Sequence, residues 1–241
     1  MQRPVLRSLL ERRADQNWKA ASLLFALIAC VHFTAALLNS FALNLFGMML
    51  YGLIALTLVR RSSWAEIRIR RPTASMYILL TTPLMVLIVL VMYEILFYAV
   101  DFTSANYLGI IAKIQLHFGA ITKYNAWQYF PIAAIGFTTI SPFTEEFFFR
   151  GLLLTSFEKR FSSFSANLLQ AFLFALVHLA YYSLIGFNPW IVVSFLAIPV
   201  PLLFGWIVQK TDSLLSSIIL HVAHNFTAIL LVYALVIPAI G

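Results

Sequence analysis

Apolar segments long enough to cross a membrane, separated by short basic loops, constrain this chain more than any other feature. Of its 241 residues, 62% are hydrophobic and only 10% are charged, whereas about a quarter of a soluble domain is charged. In lipid, only helices and closed barrels satisfy the backbone hydrogen bonds. Taking about 20 apolar residues per membrane helix, we predict an all-α, polytopic transmembrane bundle of about seven spans, over residues 18–39, 41–59, 76–100, 127–157, 165–184, 190–209 and 213–240.

The positions of the basic residues test this number of spans and predict the topology. With seven spans, 13 of the 16 lysines and arginines fall on one side of the membrane, and the positive-inside rule makes that side cytoplasmic. We therefore predict a multi-pass integral membrane protein with a cytoplasmic N-terminus and its C-terminus on the opposite side. The net charge of +7 comes from these loops and does not indicate nucleic-acid binding.

Three charged residues, Glu145, Glu146 and Arg150, lie inside the fourth predicted span. A charge at the bilayer centre costs about 2.5–3.5 kcal/mol even on lenient insertion scales, so such residues are functional candidates by default. Glu146 and Arg150 are four residues apart on one helix face, which predicts an ion pair that supports the local structure. Glu145 points about 100° away from Glu146. It has no local cation and is a candidate general base.

The same span contains Pro142 near its middle. A proline inside a helix removes one hydrogen bond and clashes with the preceding turn. Ser141 followed by Pro142 also has the pattern of a helix start, with serine as the cap and proline in the first turn. We therefore predict a break or kink near Ser141, with Glu145 and Glu146 in the first turns of a second half-helix.

Polar residues on two later spans lie at similar predicted depths. The fifth span contains His178, and the seventh contains His221 and Asn225, which share a helix face. A lone histidine on a helix is more often a packing residue than a catalyst. However, Glu145, His178 and His221 lie roughly 18, 20 and 12 Å from the cytoplasmic ends of their spans, at 1.5 Å per residue. These depths predict one shared, buried polar cavity.

Three motifs therefore occur in order on separate spans: Glu145-Glu146-x-x-x-Arg150, Phe174-x-x-x-His178 and His221-x-x-x-Asn225. Over roughly residues 131–232 the chain resembles the CAAX protease and bacteriocin-processing (CPBP, or Abi) family of glutamate intramembrane proteases. We divide the chain into a basic cytoplasmic N-terminus at 1–17, membrane helices and an outer loop at 18–126, and a catalytic membrane core like that of the family at 127–241.

The resemblance also implies residue roles. Glu145 and His178 would activate a water molecule that attacks the scissile carbonyl. His221 and Asn225 would stabilise the tetrahedral oxyanion or orient the water, and histidine and asparagine N–H groups suit that task. The remaining two motif residues, Glu146 and Arg150, would support the site.

The implied function is that of an intramembrane endopeptidase acting on a membrane-attached or lipidated polypeptide. Its partners would be that polypeptide and the lipid bilayer, with no nucleic acid, no cofactor and no metal. Five phenylalanines near the motifs could be packing residues or a wall for a lipid chain or apolar peptide: Phe147, Phe148, Phe149, Phe172 and Phe174.

Two other functions stay open. A metal-dependent intramembrane protease is one alternative, with four candidate ligands: Glu145, His178, His221 and His224. The other is a non-enzymatic immunity or scaffold protein on the same fold, although a scaffold has no need of buried charges. The chain departs from the family pattern at His224, where other residues are common, and in having seven spans where the prenyl-protein branch has eight. Substrate identity is therefore left open.

Overall fold

The structure is a computed structural model that describes residues 67–99, 125–184 and 199–236, with a few isolated positions outside these ranges. Helices account for all the regular secondary structure in these ranges, which contain no strand, so the predicted all-α class is confirmed there. The first two predicted spans and nearly all of the predicted outer loop lie outside the described residues.

Five helices correspond to the third to seventh predicted spans. They are α1 (Ser75–Ala99), α2 (residues 126–158), α3 (Ser163–Leu184), α4 (Pro199–Thr211) and α5 (Leu214–Leu231, continued as a π-helical turn over Val232–Val236). Within the described ranges, the stretch Leu214–Leu235 is long and apolar enough to cross a membrane, and Ser75–Val91 and Ser163–His178 are shorter apolar helices. The number of spans and the orientation of the termini stay predictions.

Helix α2 runs without interruption through Ser141. It consists of consecutive α-helical and π-helical segments: Ala126–Ile135, Gly136–Ile140 (π), Ser141–Glu146, Phe147–Leu154 (π) and Thr155–Glu158. Ser141 has ordinary helical dihedrals (φ −61°, ψ −55°), and its N–H donates to the carbonyl of Gly136, five residues back. The predicted break and serine cap are therefore wrong, and the alternative, a kink near Ser141, stays a prediction. A wider turn accommodates Pro142, which has no N–H to offer, without ending the helix.

Apolar side chains from α2, α3 and α5 form the main core. Phe147, Phe148, Phe149 and Phe174 are all buried in it, whereas Phe172 is 51% exposed. The first four are thus packing residues rather than an open wall for a substrate. A second cluster joins α1, α4 and α5 through Met85, Val200, Phe204, Ile207 and Leu220.

The segment that precedes α1 is tied to the ends of α2 and α4, and we call this contact the loop junction (Arg68, Glu158 and Asp212). Arg68 Nη2 lies 2.7 Å from Glu158 Oε2, and Arg68 Nε lies 3.0 Å from Asp212 Oδ1. The Leu214 N–H donates to the Arg68 carbonyl at 2.9 Å. The three loops that the charge pattern assigns to the cytoplasmic side therefore meet in the structure.

Candidate active site

Glu145 lies in the middle of α2 with its carboxylate buried between three polar partners. The Ser141 hydroxyl, one helical turn earlier, donates to Glu145 Oε1. The other oxygen, Oε2, lies 3.9 Å from His178 Nε2 and 3.9 Å from His221 Nε2. The structure thus brings together the three residues that the depth argument placed in one layer, on α2, α3 and α5.

Glu146 and Arg150 are fully buried and form the predicted ion pair, with Arg150 Nη1 2.9 Å from Glu146 Oε1. The same carboxylate oxygen lies 2.7 Å from His221 Nδ1. Glu146 therefore has a second contact that sequence spacing did not reveal, because His221 is 75 residues away. The ion pair with Arg150 and the orientation of His221 therefore both depend on one atom, Glu146 Oε1.

The two histidines are oriented by what their Nδ1 atoms contact. His178 Nδ1 lies 2.9 Å from the carbonyl oxygen of Phe174. Because a carbonyl only accepts, that nitrogen carries the proton. His221 Nδ1 faces the Glu146 carboxylate in the same way. Both rings consequently direct Nε2 towards Glu145, and an imidazole nitrogen in that position can accept or donate a proton.

Aromatic rings hold both imidazoles in place. The His178 ring stacks on Phe174 with a centroid distance of 4.1 Å, and the His221 ring stacks on Phe204 at 4.8 Å. The Arg150 guanidinium lies over the same two rings, 4.8 Å from the Phe174 centroid and 5.2 Å from that of Phe204. The buried cation thus packs against the rings that support the histidines, a favourable cation–π arrangement.

Asn225 lies one helical turn after His221 on α5, but its hydrogen bonds are to Phe137 and His224 and not to Glu145. Its Nδ2 donates to the carbonyl of Phe137 at 2.8 Å, and its Oδ1 lies 2.9 Å from His224 Nδ1. The structure therefore places Asn225 beside the π-helical turn of α2. One N–H of its amide is engaged there, and the amide nitrogen has a second proton to offer.

Several residues at the site were missed or misassigned by sequence reasoning. Ser141 was interpreted as a helix cap, although its spacing of four from Glu145 places both on one face of a continuous helix. Asn167 and Gln170 on α3 bond to the first turn of α4. Gln170 Nε2 donates to the Pro201 carbonyl at 3.0 Å, and Arg150 Nη2 approaches the same oxygen at 3.2 Å. No short-range pattern marks these contacts.

The alternative of a metal-dependent protease requires side chains placed to coordinate a metal ion. Across residues 67–99, 125–184 and 199–236, no group of three or more His, Cys, Asp or Glu side chains is arranged to hold a metal ion. Three of the four candidate ligands have a protein partner at Nδ1: His178 contacts the Phe174 carbonyl, His221 contacts Glu146 and His224 contacts Asn225.

Comparison with known proteins agrees with the motifs. Residues 127–227 match the family model described as Type II CAAX prenyl endopeptidase Rce1-like. This segment includes all three motifs, and the predicted resemblance to CAAX proteases is confirmed over this part of the chain. The matched family consists of membrane-embedded peptidases of the CAAX-protease type. Among curated proteins and among solved structures, none matches the chain.

Proposed function

We propose that this chain is a glutamate-type intramembrane endopeptidase that hydrolyses a peptide bond in a membrane-attached or lipidated polypeptide. The observation that carries the proposal is the position of Glu145 Oε2, 3.9 Å from Nε2 of both His178 and His221. That separation is too long for a direct hydrogen bond. It is short enough for a water molecule to bridge Glu145 to either imidazole.

In the proposed first step, that water attacks the scissile carbonyl carbon. One O–H bond of the water breaks as its oxygen bonds to carbon, and the proton passes to the Glu145 carboxylate. The electron pair of the C=O bond moves onto the carbonyl oxygen. His178 Nε2 accepts a hydrogen bond from the other O–H group of the water, which stays intact and orients the attacking lone pair of the oxygen. Ser141 fixes Glu145 by donating to the opposite carboxylate oxygen.

The oxyanion needs donors that are already in position before it forms. We propose Asn225, through its second amide proton, and His221 for this role. A protonated His221 would present an Nε2–H to the oxyanion, while its Nδ1–H faces the Glu146 carboxylate 2.7 Å away. When the intermediate collapses, the electron pair of the oxyanion re-forms the C=O bond, and the C–N bond breaks with its electron pair leaving on nitrogen. The proton held by Glu145 passes through His178 to the departing nitrogen.

The Glu146–Arg150 pair supports this arrangement without joining the reaction. Arg150 contacts Glu146 on its own helix and the Pro201 carbonyl on α4. Glu146 in turn holds His221 on α5. The buried pair thus links α2 to α4 through Arg150 and to α5 through Glu146, and preorganisation of this kind is what transition-state stabilisation requires.

The substrate we propose is a polypeptide held at the bilayer and cut near its C-terminus, in the cytoplasmic half of the membrane. The apolar helices and the family description, a prenyl endopeptidase for CAAX proteins, support this choice. We propose residues 127–241 as the catalytic core, within a seven-span chain whose first helices, residues 18–126, complete the membrane domain, and residues 1–17 as a basic cytoplasmic N-terminus.

The test compares protein termini in membranes from cells that make the native chain, Glu145→Gln or Glu158→Gln. Both substitutions replace a carboxylate by an amide of the same size, but Glu158 lies at the loop junction and contacts Arg68. We expect a defined set of C-terminal cleavages to disappear with Glu145→Gln and to persist with Glu158→Gln, at matched expression.

Identical termini in all three membranes would contradict the proposal and favour the immunity or scaffold alternative. Purified protein tests the reaction directly, with a farnesylated fluorogenic peptide as the probe. Cleavage that is lost with a chelator and restored by Zn²⁺ would instead support the metal-dependent alternative.

A further inference from the structure

The Asn225 amide lies between the Phe137 carbonyl and the His224 ring, and these two partners determine which way its nitrogen and its oxygen face. The Phe137 carbonyl can only accept a hydrogen bond, so the amide nitrogen must face it, at 2.8 Å. The amide oxygen then faces His224, whose Nδ1 lies 2.9 Å from Oδ1. A carbonyl oxygen accepts as well, so His224 must carry its proton on Nδ1. The orientation of the amide thus follows from the geometry itself, even though heavy-atom positions alone do not distinguish N from O.

The Phe137 carbonyl needs a side-chain donor because of Pro142. In the π-helical turn of α2 the Ser141 N–H bonds to Gly136. The same i→i−5 pattern would give Phe137 the N–H of residue 142, but that residue is proline and has none. A backbone carbonyl within a helix is normally paired, and here Asn225 supplies the donor. The proline that precedes Glu145 by three residues therefore determines where the Asn225 amide binds.

We propose that His224 is a positioning residue for hydrolysis, which holds the Asn225 amide so that its second N–H is directed at the oxyanion. The inference rests on the proposed function. The Phe137 bond fixes one end of the amide, and the His224 Nδ1–H fixes the other, so the side chain cannot rotate about its last torsion. His224 is buried, 4% exposed, and its ring meets the Phe204 ring edge-on at 6.4 Å. The Phe204 ring also stacks on His221.

Three substitutions at position 224 separate donation from packing. His224→Asn carries an N–H donor on the atom bonded to Cγ, as Nδ1 is in histidine. His224→Leu introduces an apolar side chain of similar length and removes the N–H donor. His224→Asp offers only acceptors when ionised, so it opposes the amide oxygen. We expect kcat to fall about 10-fold or more in the leucine and aspartate variants, the effect of one lost hydrogen bond. KM should be unchanged and the asparagine variant should recover most of the rate.

A double-mutant cycle with Asn225→Ala shows whether His224 acts through Asn225. Single-turnover cleavage of the farnesylated fluorogenic peptide is measured for the native chain, His224→Leu, Asn225→Ala and the double variant. We expect His224→Leu to slow the native chain but to add no further loss to Asn225→Ala. Phe226→Leu, at a neighbouring exposed position, is the matched control and should retain the native rate and melting temperature.

The other possible outcomes distinguish failure of the role of His224 from failure of the proposed peptidase function. Independent, multiplicative losses in the cycle, or a drop in melting temperature that accounts for the lost activity in both backgrounds, would overturn the role of His224 while leaving the peptidase intact. Failure of His224→Asn to recover any activity when His224→Leu also folds normally would do the same. If Glu145→Gln cleaves the probe at the native rate, or the native chain does not cleave it, the proposed function fails and the inference fails with it.

Discussion

Gly205 on α4 lies directly against Asn167 on α3: a Cβ atom built at position 205 would come within 1.9 Å of Asn167 Oδ1. The contact is tight because Asn167 is held in place. Its Nδ2 donates to the Leu202 carbonyl, and its Oδ1 accepts from Gln170. Since Gln170 and Arg150 both bond to the Pro201 carbonyl, this close approach of α3 and α4 also positions the buried cation of the site.

We therefore expect Gly205→Ala to destabilise the protein by about 1–3 kcal/mol, the usual cost of overpacking a filled interior. Thermal unfolding of the purified variant measures this. Adding Asn167→Ala should restore part of the loss, because it removes the oxygen that the new methyl group meets. Gly136→Ala is the matched control, since a Cβ there has nothing within 4 Å. A melting temperature for Gly205→Ala equal to that of Gly136→Ala would contradict the tight contact.

Ser141→Ala should slow catalysis without weakening substrate binding. The Ser141 hydroxyl donates to Glu145 Oε1, and a hydrogen bond to a charged group is worth about 1.5–3 kcal/mol, so kcat should fall about 10- to 100-fold. KM should stay the same, because Ser141 has no proposed contact with the peptide. Ser141→Thr keeps the hydroxyl and should retain most of the rate. An alanine variant with native kcat would show that Glu145 does not depend on this contact.

Removing one partner of the Glu146–Arg150 pair should destabilise the protein more than removing both partners. Glu146→Gln alone leaves a buried guanidinium without its carboxylate, which costs about 3–5 kcal/mol in comparable buried pairs. The double variant Glu146→Gln/Arg150→Met should recover much of that stability in thermal unfolding. It should remain inactive, because His221 loses the carboxylate that orients it. An active double variant would rule out the proposed role of Glu146.

Substitutions of Asp212 at the loop junction should change stability but leave activity unchanged. Asp212 has a positive φ of 51°, a conformation that asparagine tolerates and alanine does not. Its ion pairs are partly exposed and individually weak, about 1 kcal/mol or less. Asp212→Asn should therefore cost little, and Asp212→Ala about 1–2 kcal/mol more, the cost of the left-handed conformation. Equal melting temperatures for the two variants would contradict this explanation.

Local patterns in the chain were sufficient for most of the helices and for one contact of the site. Apolar periods and lengths predicted helices at 76–100, 127–157 and 165–184, close to the observed α1, α2 and α3. The Glu146–Arg150 pair followed from a spacing of four, which places two side chains together on any regular helix. The predicted break and cap at Ser141 failed because propensity describes isolated helix ends. Here the chain continues through a π-helical turn instead.

The sequence by itself determined that the chain is helical and apolar, and that its charged and imidazole groups lie at similar depths on separate helices. Only the tertiary structure decided which atoms meet. His221 reaches Glu146 across 75 residues, and Asn225 reaches Phe137 across 88. The physical reason is that a helix specifies the angle and rise of each side chain along its own axis. The rotation and offset between helices depend on interlocking side chains such as Asn167 against Gly205.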